Sequence, residues 1–194
     1  MCGIVGIWNP ERADPTEAAR LAFFALYALQ HRGQESAGIA ATDGRDMRIV
    51  RRMGLVGQVF GEPDLGILGG RAAIGHTRYS TTGSSRIQNA QPMMVRAEAL
   101  GELAIGHNGN CINARDLRED LAGHGAQFTT SSDTEVIAQV IAHEDGATWD
   151  ERLARALPRL QGAWSLVMLT PTAIYAIRDP LGVRPLSLGK RGGS

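Results

Sequence analysis

Cysteine is scarce in this chain: its 194 residues hold two, Cys2 and Cys111. Two thiols cannot staple a small secreted fold, so the chain must rest on its apolar core. No basic stretch leads into an apolar one at the N-terminus, which argues against a secretory leader, and no apolar run is long enough to span a bilayer. Net charge is missing too, with 20 acidic and 20 basic residues and no Lys/Arg-rich block. That balance leaves no footprint for nucleic acid or an anionic membrane and suits a small neutral or zwitterionic ligand. A Gly-rich phosphate loop and a regular βαβ alternation are also lacking, which argues against a doubly wound nucleotide fold. The expectation is a soluble, cytoplasmic protein.

What is present is a 43% hydrophobic composition, enough to bury a sizeable core in one domain or at most two small ones. "MCGIVGIW" reads as a strand. "PTEAARLAFFALYALQHRG" carries Ala18, Leu21, Ala25 and Leu29 at helical spacing and stops at Gly33, so it reads as a core-facing helix. Two β-type runs, at 39–41 and 47–50, flank the turn pair Asp43-Gly44 and predict a hairpin. "RAAIGHTRYS" and "ELAIGHNGN" each end an apolar run in Ile-Gly-His, and the shared layout suggests neighbouring strands. "NARDLREDLAGHG" predicts a helix with Asn113 as N-cap and Gly123 as stop. Two more helices follow, each opening with the reciprocal capping signature, Ser132 to Glu135 and Thr148 to Glu151. The end alternates apolar runs with turns at Pro171 and 179–182, so strands return. The order predicts an α+β fold of antiparallel sheets with helices packed outside them.

Cys2 is the residue that carries chemistry. Methionine before a small residue is a substrate for methionine removal, and Met1 precedes Cys2 directly, so that step alone would free an α-amino group beside the thiol. The amine has a reference pKa of roughly 7.7 to 8.0 and the thiol about 8.5, so near neutral pH one residue supplies both base and nucleophile. Such a site needs donors for a developing oxyanion. "HNGN" offers the Asn108 amide and the Gly109 N–H at a strand end, although an Asn-Gly pair alone is more often an ordinary turn. A substrate with an amino-acid head group needs a cation for its carboxylate, for which Arg78 has the matching fork, and an anion for its ammonium, for which Asp133 serves. Asp133 also lies in the first turn of a predicted helix, where an acid is favoured regardless of function. His76 and His107 follow the same Ile-Gly at strand ends; a metal pair or a Cys-His dyad is the weaker reading, because the Cys2 amine already supplies a base. Cys111 reads as an inert packing residue.

The segments "MCGIVGIW", "LQHRGQESAGIA", "IGHTRYSTTGSS", "NAQP", "HNGN", "TSSDTEVI" and "RDPLGVRP" together resemble the class II glutamine amidotransferase domain, an N-terminal-nucleophile hydrolase. The likeness spans essentially the whole chain, and "QHRGQESAG" points to the amidophosphoribosyltransferase branch of purine synthesis. The resemblance implies a four-layer αββα sandwich in which residues 1–194 form a single glutaminase domain. It further implies that Cys2 attacks the side-chain amide of L-glutamine, forms a γ-glutamyl thioester and releases ammonia, with no cofactor and no metal. Asn108 and Gly109 would hold the oxyanion, Arg78 the substrate carboxylate and Asp133 its α-amino group. Thr81, His76 and Arg32 lie in matching motifs and are carried as further substrate-binding candidates. "RYSTTGSS" matches the loop that closes over glutamine, and its composition independently fits a lid.

The sequence contains no acidic-pair segment of the phosphoribosyl-pyrophosphate type, so no phosphoribosyltransferase domain is read in it. A synthase or phosphoribosyltransferase domain or subunit is therefore the expected ammonia acceptor, with a homo-oligomer left open. Two other readings stay beside the leading one. The first is an N-terminal-cysteine amidase acting on a different amide, and the second is a catalytically silent module that binds glutamine or docks a partner.

Overall fold

Strands of five to eleven residues pair into sheets because each is too short to bury its apolar face alone. The computed structural model describes residues 1–9, 14–79 and 85–190. Their elements run β1 (Gly3–Trp8), α1 (Glu17–Ala28), β2 (Ser36–Thr42), β3 (Met47–Met53), α2 (Val56–Val59), α3 (Glu62–Ile67), β4 (Ala72–Arg78), β5 (Met93–Ala97) and β6 (Gly101–Cys111). There follow α4 (Ala114–Gly123), α5 (Asp133–His143), α6 (Trp149–Ala156), β7 (Gly162–Leu169) and β8 (Ile174–Arg178). The strands form two four-stranded antiparallel sheets, ordered β1-β4-β2-β3 and β5-β6-β7-β8.

Three apolar cores define four layers. The first, from Ala18, Ala22 and Leu26 to Ala37, Ile39 and Ala73, joins α1 and α2 to the first sheet. Between the sheets lie Ala40, Ala72, Ile74, Ala104, Val167 and Leu169. The third joins Leu103, Ile105, Trp164 and Leu166 to Leu117, Leu121, Val136, Ile141 and Leu153 of α4 to α6. The αββα sandwich expected from the resemblance is therefore present.

Local details depart from the sequence reading in instructive ways. The stripe of α1 that meets the sheet is Ala18, Ala19, Ala22 and Leu26, whereas Leu21, Ala25 and Leu29 are only half-buried. Small residues win that face because the helix lies close on β4, where a Cβ at Gly75 would stand 2.8 Å from Leu26 Cδ1. The hairpin forms with its turn held by Asp43, whose Oδ1 accepts from the N–H groups of Arg45 and Asp46. Helix α4 continues through Gly123, and Gly125 takes the positive φ after it; Asn113 gives its side chain to Arg159 and Gln161 instead of capping.

Neither capping signature closes reciprocally. Ser132 accepts from Thr134 N–H while Glu135 binds the backbone and hydroxyls of Thr129 and Thr130. Thr148 does accept from Glu151 N–H, but Glu151 reaches back to Ala147. The two Ile-Gly-His strands are not neighbours: β4 lies in one sheet and β6 in the other, face to face.

Candidate active site

Strand pairing brings Cys2 to Arg78. The β1–β4 register couples Gly3 to Thr77 and Ile4 to His76, so one step further Cys2 stands across from Arg78. Even-numbered residues of both strands face the second sheet, as Ile4 and Ile74 do in the central core. Cys2 N–H donates to Asn108 Oδ1 at 3.1 Å, and its carbonyl accepts from Arg32 Nε at 3.1 Å. That backbone nitrogen is an amide while Met1 is attached and becomes the α-amine once Met1 leaves. Met1 is 58% exposed, open to that removal. The thiol lies 3.8 Å from the Tyr79 carbonyl. Burial pushes it above the ordinary thiol range, while a backbone hydrogen bond at Tyr79, the N-terminal charge and the Arg78 guanidinium pull the other way.

The opposing sheet supplies donors through the phase of β6. In an antiparallel ladder, alternate residues point their N–H groups to alternate neighbours. His107 N–H meets Gln91 Oε1 at 2.8 Å and Cys111 N–H meets Asp133 Oδ2 at 3.1 Å, both on the β5 side and beyond the end of that strand. Gly109 lies between them with the same parity, and across from it Trp164 turns its own N–H and carbonyl to Asp179. The Gly109 N–H is therefore directed away from β7, to the same side as those of His107 and Cys111. Only glycine fits here, since φ is +157° and a Cβ would stand 2.3 Å from the Ala163 carbonyl oxygen. Asn108, one residue earlier, points between the sheets to Cys2; with Oδ1 on the Cys2 nitrogen, its Nδ2 hydrogens are the donors left for a ligand.

Asp133, the first residue of α5, approaches from the helix layer. Burial would raise its carboxyl, but His107, the Cys111 N–H and the Thr134 backbone outweigh burial and hold it below the ordinary carboxylate range. The charges of Arg78 and Asp133 both act on the Cys2 thiol, the cation drawing its pKa down and the anion pushing it up. Arg78 is nearly fully buried and pairs with Glu35, which also gives its N–H to the Arg78 carbonyl at 3.0 Å. A cavity of about 350 Å³ opens at Cys2 and Asn108 and runs over Ile4, Gly6, Val167 and Ile174 beneath Leu186 and Leu188.

Of the sequence candidates, Cys2, Arg32, Asn108 and Gly109 thus gather at one end of the sandwich, with Arg78 and Asp133 beside them. His76 stands apart. It is wholly buried between the sheets, donates Nε2–H to the His107 carbonyl at 3.0 Å, and is kept neutral by burial, its pKa lowered to about 3. It lines neither the cavity nor the thiol. Thr81 and most of the Ser/Thr/Gly-rich segment lie outside the described residues, as do Arg191–Ser194. Cys111 is buried against Asn113, its thiol raised to about 11 by burial and by Asp133, which makes it inert. Sequence reasoning missed Glu35, Gln91 and Thr134; each lies in a quoted segment, and only strand register reveals what it touches.

Two stacked antiparallel sheets between helix layers, with Cys2 entering the first strand, are the N-terminal-nucleophile hydrolase fold. A family model described as a glutamine amidotransferase domain matches residues 76–194. The chain is 48% identical over 193 residues to an amidophosphoribosyltransferase of Archaeoglobus fulgidus, covering 98% of this chain and 41% of that protein. It is 51% identical over 191 residues to an amidophosphoribosyltransferase of Synechocystis sp., covering 97% of this chain and 38% of the relative. A solved structure titled as the allosteric regulatory enzyme of purine biosynthesis superposes with a TM-score of 0.90 at 39% identity, covering 100% of this chain and 40% of the other. The chain belongs to the glutamine amidotransferase domain family. It spans about two fifths of the length of the curated relatives it matches.

Proposed function

We propose that this domain hydrolyses the side-chain amide of L-glutamine to glutamate and ammonia, with Cys2 as nucleophile. The observation that carries the reading is the 3.1 Å contact between the Cys2 nitrogen and Asn108 Oδ1, which sets base, thiol and oxyanion donors around one point. After loss of Met1, the α-amine accepts the thiol proton and the sulfur attacks the amide carbon. Negative charge develops on the carbonyl oxygen, where Asn108 Nδ2 and Gly109 N–H donate. The ammonium of Cys2 then returns its proton to the departing nitrogen, and ammonia leaves. Water, deprotonated by the same amine, cleaves the γ-glutamyl thioester and restores the thiol. Arg78 takes the α-carboxylate and Asp133 the α-ammonium; Arg32, bonded to the Cys2 carbonyl, steadies the nucleophile.

The relatives are amidophosphoribosyltransferases, and one neighbour is titled an enzyme of purine biosynthesis. We propose by analogy that the ammonia passes to a phosphoribosyl acceptor on a companion domain or subunit, in the cytoplasm, where Cys2 stays reduced.

The test is glutamate release from L-glutamine by protein whose mass proves that Met1 is gone. Processed protein turns over, while protein retaining Met1 does not, and Cys2→Ser binds glutamine but loses most turnover. Full activity with Met1 in place would overturn the mechanism. Binding without turnover in processed protein would point to a silent module, and preference for another amide to a different amidase.

A further inference from the structure

We infer that Gln91 is a positioning residue that sets where Asp133 stands relative to the end of β6, and thereby sets the preference for ligands bearing an α-ammonium group. The inference rests on the reading of Asp133 given above. Gln91 is almost fully buried in the turn that enters β5, and its carboxamide spans two layers. Its Oε1 accepts from His107 N–H at 2.8 Å, and its Nε2 donates to Thr134 Oγ1 at 2.9 Å. The His107 ring closes the circuit, with Nδ1 3.1 Å from Thr134 Oγ1 and 3.7 Å from Asp133 Oδ1.

With an anionic carboxylate facing it, His107 Nδ1 carries the proton, so Thr134 Oγ1 accepts from both Gln91 and His107. Strand β6 and the first turn of α5 are thereby tied at two points, and Asp133 Oδ2 makes the third tie to Cys111 N–H at 3.1 Å. Gln91 is itself held from behind. Arg51 Nη1 donates to the Ala90 carbonyl at 2.8 Å and the Pro92 carbonyl at 3.3 Å, and β2 lies so close that a Cβ on Gly38 would stand 2.2 Å from the Gln91 carbonyl oxygen. A side chain braced in this way transmits a fixed spacing between the strand that carries Asn108 and Gly109 and the helix that carries Asp133. Displacing a ligand-holding group by about 1 Å costs up to roughly 100-fold in a well-positioned site.

The experiment measures dissociation constants for L-glutamate and for glutarate, which differ only in the α-amino group. Gln91→Leu removes the ties at similar volume. It should weaken L-glutamate by roughly 10-fold or more and leave glutarate unchanged, because only the ammonium depends on Asp133. Thr134→Val should do the same, and Thr134→Ser, which keeps Oγ1, should retain the wild-type preference. Should Gln91→Leu fail to fold, the Thr134 pair decides. Equal weakening of both ligands, or an unaltered preference in Gln91→Leu and Thr134→Val, overturns the inference. Asp133→Asn is the separate control: if it keeps the preference for L-glutamate, the reading of Asp133 fails, whereas if it loses that preference and Gln91→Leu does not, only the role of Gln91 fails.

Discussion

Strands β4 and β6 carry the same tripeptide, Ile74-Gly75-His76 and Ile105-Gly106-His107, and use it in opposite ways. In β4 the histidine faces the other sheet, and so does Arg78 two residues later. In β6 the phase is shifted by one residue, so His107 faces α5 and Asn108 faces inward. The strands meet at their glycines, where a Cβ on Gly106 would stand 3.8 Å from the Gly75 carbonyl oxygen, and His76 bonds the His107 carbonyl across the gap. One residue of phase thus separates a strand that ends in a cation from one that ends in a side-chain amide and a backbone N–H directed away from β7. On the proposed mechanism the first end recognises the ground state and the second acts only as charge develops on the reacting oxygen.

That division predicts unequal mutants. Asn108→Ala should reduce kcat by on the order of 100-fold or more with KM little changed, since the oxyanion exists only along the reaction path. Arg78→Lys should do the reverse. An ammonium keeps the charge beside Glu35 but loses the fork that fits a carboxylate, so KM for glutamine should rise roughly 10-fold while kcat stays within a few-fold. Steady-state kinetics on both variants checks this; a kcat defect in Arg78→Lys together with a KM defect in Asn108→Ala would break the distinction between the two strand ends.

The residue types of the site were legible because their chemistry is local. A cysteine after the initiator methionine, an Asn-Gly pair at a strand end and an acid opening a helix each announce themselves within a few residues. The antiparallel sheets and outer helices also followed from the order of elements, whereas the four-layer stacking came from the resemblance alone. What escaped depends on register between distant segments. Glu35 reaches Arg78 across 43 residues, and Gln91 reaches Thr134 across the same separation. Apolar spacing on α1 suggested a stripe of Ala18, Leu21, Ala25 and Leu29, but close approach to Gly75 rewarded the face of Ala18, Ala19, Ala22 and Leu26. Glu135 has the spacing of a capping box, yet four donors from Thr129 and Thr130 outbid one backbone N–H.

A stability measurement separates His76 from Asp133. His76 is neutral in the folded protein, with its pKa lowered from 6.5 to about 3 by burial. Between those values the unfolded chain binds a proton that the folded one refuses, so the group's contribution is intact above pH 6.5 and is lost as pH falls. The slope approaches about 1.4 kcal/mol per pH unit. His76→Gln keeps an N–H donor for the His107 carbonyl and removes the titration, so its acid slope between pH 6 and 4 should be shallower by about that amount. Asp133 acts lower on the scale. Its carboxyl is held below the ordinary 3.8, so the stability it contributes is complete well above that pH and is lost progressively as pH falls from about 5. Asp133→Asn should therefore leave the slope from pH 6 to 5 intact and flatten it only below about pH 5. Urea unfolding midpoints at half-unit pH steps separate the two windows, and a His76→Gln slope identical to wild type would mean that this histidine titrates in the fold as it does in solution.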